Sequence, residues 1–134
     1  MKIYRFWTVL VVVLAMMVLF PGCSSISTRG GSGAGHSPIE YSGNTLQVSD
    51  NLPLNLELDA AKVALAALQI PVVVDKKNTR SVRIEGRDAK SQPVIIQLLG
   101  INHYTTEVQI TVGTTNSAEH RAEEQLIYDK MRNS

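Results

Sequence analysis

Between Thr106 and Val112 apolar and polar positions alternate with few exceptions. Thr106, Val108, Ile110 and Val112 fall on one side, and Glu107, Gln109 and Thr111 on the other. A period of two sends successive side chains to opposite faces of a strand, so this segment is expected to be a half-buried β-strand. Val94, Ile96 and Leu98 make a second such row, and Val82 and Ile84 alternate with Arg83 and Glu85 in a third. Val72-Val73-Val74 reads as a further strand leading into a polar turn, Asp75-Lys76-Lys77-Asn78. Thr45-Leu46-Gln47-Val48 reads as a short first strand.

Two segments change period. Leu54, Leu58, Ala61, Leu65 and Leu68 share one helical stripe, and Ala60, Ala64 and Ala67 keep the neighbouring surface thin enough to lie close on a sheet. Asp50 or Asn51 is the expected cap, with Pro53 in the first turn, where a missing N–H leaves nothing unpaired. Pro71 ends the pattern. A second helix is expected from Asn116, which has capping-box spacing to Glu119. Its inward stripe would be Ala122, Leu126, Ile127 and Met131, with Glu123, Glu124, Asp129, Lys130 and Arg132 outside. Acids early and bases late suit the helix dipole. The order β-α-β-β-β-β-α, with hairpins joining the later strands, predicts an α+β two-layer sandwich built on an antiparallel sheet.

The first forty residues follow neither period. Lys2 and Arg5 precede a run from Phe6 to Phe20 without a charge, too short for the roughly 20 apolar residues of a membrane-spanning helix and right for a secretory signal. Cys23 follows at once, and it is the only cysteine. From Ser24 onward the chain is Ser- and Gly-rich, a composition that reads as a flexible tether. Its glycines miss the spacing of a phosphate-cradling loop. Three segments result: a signal peptide over 1–22, Cys23 and a tether over 23–40, and a small domain over 41–134.

Composition narrows the function. Thirteen Lys and Arg against 12 Asp and Glu give a net charge of +1. Removing residues 1–22 takes two of those bases away, so the mature chain sits near −1. Nucleic acid is therefore not an expected partner, because its binding needs a basic surplus gathered on one face. One cysteine rules out an internal disulfide framework and any multi-thiolate zinc site.

The stretch Leu19-Phe20-Pro21-Gly22-Cys23 resembles a bacterial lipobox. That resemblance implies diacylglyceryl transfer to the Cys23 sulfur and cleavage that leaves Cys23 as the acylated N-terminus. Ser24 in the next place implies the outer membrane, facing the periplasm. Two or three acyl chains hold a protein stably, since each buried CH₂ contributes about 0.8 kcal/mol.

Further along come Tyr41-Ser42-Gly43-Asn44-Thr45-Leu46, an Ala/Leu helix running into Leu68-Gln69-Ile70-Pro71-Val72, then Val82-Arg83-Ile84-Glu85-Gly86, Pro93-Val94-Ile95-Ile96-Gln97-Leu98, and Thr106 to Gly113. In this order they are similar to a family of small bacterial lipoproteins, domain-of-unknown-function family 3568. The resemblance implies the fold and the envelope location, and it brings no catalytic residues or cofactor.

Candidate chemistry is sparse. His36, His103 and His120 lack ligand spacing to one another or to Cys23, so no metal site or cofactor is expected, and each imidazole is read as exposed. No GxSxG elbow occurs. Glu119, Glu123 and Glu124 read as a solvated helix face. Glu85 and Glu107, on outward strand positions, could meet Arg83 or Arg87 across the sheet.

Two surfaces remain. Lys76, Lys77, Arg80, Arg83, Arg87 and Lys90 crowd a sixteen-residue stretch with Asp75, Glu85 and Asp88, a local +3. Such cations guard edge strands or contact an anionic envelope surface. Ile95 and Leu99 are apolar on the face opposite Val94, Ile96 and Leu98. Either helices cover both faces, or a patch is left for a protein partner or self-association. The sequence thus predicts a lipid-anchored envelope protein that binds or scaffolds another envelope component, with an enzyme or enzyme subunit as the alternative.

Overall fold

The computed structural model describes residues 37–134. The signal peptide over 1–22, Cys23, the Gly/Ser run and His36 lie outside the described residues. Six strands and two helices follow in chain order: β1 (Glu40–Ser42), β2 (Thr45–Asp50), α1 (Leu54–Ala67), β3 (Val72–Lys77), β4 (Ser81–Arg87), β5 (Pro93–Asn102), β6 (Thr105–Val112) and α2 (Ala118–Arg132). They form one open antiparallel sheet in the order β1-β2-β6-β5-β4-β3. The fold is the expected α+β layer of helices on a sheet, with one short strand, β1, in addition. Ile39, just before β1, already packs against the core.

The alternating rows decide which face is dry. Leu46 and Val48 of β2, Val82 and Ile84 of β4, Val94, Ile96 and Leu98 of β5, and Val108, Ile110 and Val112 of β6 are all buried. Register aligns them across the sheet: Ile110 stands opposite Leu46 on one side and Ile96 on the other. Leu58, Ala61, Ala64 and Leu65 of α1 and Ile127, Tyr128 and Met131 of α2 complete the core. Alanines at 61 and 64 let α1 sit close to the strands, whereas Ala60 is half-buried and Ala67, expected on the same thin surface, is exposed.

Several sequence expectations need correction. Asp75, Lys76 and Lys77 continue β3 instead of turning, and the β3–β4 connection is only Asn78-Thr79-Arg80. The cap of α1 is Pro53 with no side-chain hydrogen bond, because Asp50 prolongs β2 and points inward. Ser117, not Asn116, caps α2: its Oγ accepts the His120 N–H at 3.1 Å, while Asn116 Oδ1 accepts from Arg121 Nε.

The exit from α1 is a Schellman motif. Ile70 N–H donates to Leu65 O at 2.9 Å and Gln69 N–H to Ala66 O at 3.1 Å, with Gln69 left-handed at φ 57°. Pro71 then blocks any continuation. The turn lies so near β4 that a Cβ on Gly86 would fall 2.8 Å from Pro71 O and 2.9 Å from Ile70 Cγ2. Glycine at 86 is what allows this close approach.

Candidate functional site

Antiparallel pairing brings two hairpin tips to the same end of the sheet. Ser81 of β4 stands opposite Leu99 of β5, so the β3–β4 tip lies beside Gly100, whose N–H donates to Arg80 O at 2.8 Å. Asn78 closes the first tip by donating its N–H to Ser81 O at 2.7 Å. Asn102 shapes the second, its Oδ1 accepting the Tyr104 N–H at 2.8 Å in an Asx turn. Between the tips and the first turns of α1 runs a groove of about 730 Å³. Leu54, Leu58 and Ile101 give it apolar walls, Lys77 and Arg80 give it cationic ones, His103 adds an imidazole, and no Asp or Glu lines it. Its size falls in the range of small-ligand sites.

The six cations singled out by sequence separate into two groups. Arg83 Nε pairs with Glu85 Oε1 at 2.5 Å, Arg87 Nη1 donates to Ser91 O at 3.0 Å, and Lys90 Nζ pairs with Glu119 of α2. Lys76, Lys77 and Arg80 have no side-chain hydrogen bond or ion pair among the described residues. These three belong to one hairpin, and Lys77 and Arg80 line the groove. Lys76 stands opposite Arg83 on the outer face. Lys90 sits at the other end of the sheet, so the basic stretch is not one patch.

Sequence reasoning missed two residues of this end. Ile101 is 55% exposed and Tyr104 is 77% exposed. The available signal was an aliphatic and an aromatic side chain flanking the polar pair Asn102-His103.

Both helices lie on one face, and among the described residues no helix covers the other, which is mainly polar. Thr45 and Thr111 hydroxyls bond at 2.8 Å, and Gln47 Nε2 and Gln109 Nε2 both donate to Glu107 Oε1, at 2.7 and 2.6 Å. Ile95 and Leu99 are set into this polar ladder, Leu99 being exposed. Of the two arrangements expected for this face, cover by helices on both sides is not found among the described residues, and the apolar positions left open on it are Ile95 and Leu99.

The buried ionisable groups lie elsewhere, under the helices. Asp50, Glu57 and Glu124 are buried, with His120 and Tyr128 beside them. Tyr128 Oη donates to Asp50 Oδ1 at 2.8 Å; Arg132 Nη1 lies 3.3 Å from Asp50 Oδ2, and its Nη2 donates to Glu57 Oε2. Burial raises the Glu57 carboxyl above its usual range, against the lowering influence of Arg132. Burial likewise raises Glu124, although its Oε1 accepts the Val112 N–H at 3.1 Å. Glu124 is therefore a core residue and not part of a solvated face, and His120 is not exposed: its Nδ1 lies 2.7 Å from Thr115 O. Ala122 and Leu126, expected inward, are exposed.

Among the described residues no group of His, Cys, Asp and Glu side chains is placed to hold a metal ion, and no helix is long and apolar enough to cross a membrane. A family model described as "Protein of unknown function (DUF3568)" matches residues 6–122. That span takes in the early apolar run, all six strands and the start of α2. No curated protein matches the chain.

Proposed function

The chain belongs to the DUF3568 family of proteins of unknown function, and on that premise we propose that it is a lipid-anchored bacterial envelope protein whose α+β domain binds another envelope component. The anchor is carried by sequence: an uncharged run from Phe6 to Phe20, then Cys23 and Ser24. Acylation of Cys23 places the protein in the envelope, at the outer membrane facing the periplasm. The chemistry of the domain favours binding over catalysis. Two of its raised carboxyls, Glu57 and Glu124, are enclosed between helices and sheet, and the third, the half-buried Glu123 of α2, does not line the groove. A general acid or base needs a perturbed group within reach of substrate. The groove instead offers unengaged Lys77 and Arg80 beside apolar walls, a mixture that suits recognition.

The observation that carries the reading is Cys23 standing alone as the chain's thiol directly after the apolar run. Metabolic labelling with palmitate in a bacterial host tests it. Label is expected on the wild-type chain and absent from Cys23→Ala; equal label on both would end the anchor. In vivo cross-linking from residues 77 and 101 then tests binding, with adducts expected from the groove and none from residue 126 of α2.

A further inference from the structure

We propose that the sheet end formed by the β3–β4 and β5–β6 tips docks on anionic phospholipid headgroups of the leaflet that holds the protein. The membrane in this inference rests on the lipid anchor proposed above.

Charge complementarity is local. Lys76, Lys77 and Arg80 stand unengaged among the described residues, and His103 joins Lys77 and Arg80 around the groove. Of the acids near this end, Asp75 pairs with Lys62 at 2.8 Å and Asp50 and Glu57 face Arg132, while Glu107 keeps its charge in the outer-face ladder, accepting from the neutral amides of Gln47 and Gln109, and does not line the groove. The exposed Asp59 of α1 does not line the groove. Beside these cations stand Tyr104 and Ile101, the former exposed by more than three quarters. An aromatic ring with a polar tip, next to long basic side chains, is the combination that settles at a membrane–water boundary.

The path of the chain agrees. Ser37, the first described residue, donates its N–H to Ser49 O at 3.2 Å. Ser49 stands opposite Glu107, Glu107 opposite Leu99, and Leu99 opposite Ser81, so one row across the sheet joins the chain's point of entry to the tips. The segment from Cys23 to Ser37 can reach at most about 50 Å. An acylated Cys23 and the tips can therefore meet one bilayer without turning the domain over.

The test uses the full chain in nanodiscs of phosphatidylcholine alone or of phosphatidylcholine with phosphatidylglycerol, read by amide hydrogen exchange. Peptides covering residues 76–81 and 100–105 are expected to exchange more slowly in the anionic discs. Each cation near such a surface strengthens association about fivefold. Replacing Lys76, Lys77 and Arg80 by Ser should therefore return both tips to their rates in phosphatidylcholine. Salt should do the same, because the Debye length shrinks from about 30 Å at 0.01 M to about 3 Å at 1 M. Tyr104→Ser should weaken protection while leaving its salt dependence. Unchanged exchange over residues 106–112 verifies that each variant folds.

Equal tip rates in both discs would overturn the proposal. So would protection confined to residues 93–99, which marks association through the outer face, or tip protection that requires an added protein extract. The mass of the Cys23 peptide reads the anchor separately. An acylated chain without tip protection refutes docking alone, and an unacylated chain with lipid-dependent protection refutes the anchor alone.

Discussion

The guanidinium of Arg132 in α2 donates to the carboxylate of Glu57 in α1, tying the two helices together by a charged contact at their shared interface with the sheet. Glu57 is fully buried and the Arg132 side chain is 14% exposed, while Asp50 at the end of β2 takes the other side of the fork. Arg132 also lies over the Tyr128 ring, its Cζ 5.3 Å from the centroid. One cation thus serves two buried carboxyls and an aromatic face. Arg132→Ala leaves those carboxyls without their countercharge, which costs about 3–5 kcal/mol. Arg132→Lys, which cannot fork to both, is expected to fall between alanine and wild type. Urea unfolding midpoints check the order.

Glu57 and Glu124 give stability a particular pH dependence. Burial raises both carboxyls above their ordinary value of 4.5, so between that value and the folded-state pKa the folded protein binds more protons than the unfolded chain. The contribution of these groups is fully present below 4.5 and is lost as pH rises through the folded pKa. Glu124→Gln keeps an acceptor for Val112 N–H and removes the ionisation. Its unfolding midpoint should exceed that of wild type at neutral pH and match it more closely near pH 4.5. Thermal unfolding across pH 4–8 reads the difference in slope.

Strand parity was legible because apolar residues mark it. Leu46, Val48, Ile110 and Val112 needed no tertiary knowledge to be placed inside. The same parity carries Asp50 inward after Leu46 and Val48, but an Asp three residues before Pro53 and a helical stripe reads as a cap. Glu124 was lost in the same way: positions 120, 124, 127, 128 and 131 make an unbroken helical stripe, yet two of its members are His and Glu. A polar residue goes inside only when partners from distant segments satisfy it. Glu124 has Val112 N–H, and Asp50 has Tyr128 and Arg132; such pairings are properties of the assembled layers. The basic stretch was legible as composition, and only the hairpin register separates Lys76, Lys77 and Arg80 from cations already paired.

Gly113 shows how tightly the chain turns from β6 towards α2. Its φ is +67°, and a Cβ there would overlap the His120 imidazole and the Gln92 side-chain amide. Gly113→Ala meets both the left-handed backbone and a side-chain collision, so it should destabilise by more than about 1 kcal/mol. Pairing it with His120→Ala removes the imidazole collision and leaves the backbone strain. The double variant should therefore be less destabilised than the two single effects added together. A double-mutant cycle on urea midpoints measures that coupling.

The two faces of the sheet can be told apart with one residue type. Ile110 is fully buried between Leu46 and Ile96, whereas Ile95 stands on the outer face with Glu85 opposite on one side and Thr111 on the other. Ile110→Lys forces an ammonium into the layer beneath the helices, where no carboxylate is in register, and should cost several kcal/mol. Ile95→Lys keeps its alkyl stem on the sheet and brings its charge beside Glu85, a cross-strand pairing worth about 0.2–1 kcal/mol. The lost burial of a partly exposed isoleucine is of similar size, so Ile95→Lys should unfold within about 1 kcal/mol of wild type. Chemical denaturation of the two variants side by side gives the answer. Equal losses at both positions would mean that the outer face is also packed against something, and the assignment of a single covered face would fall with it.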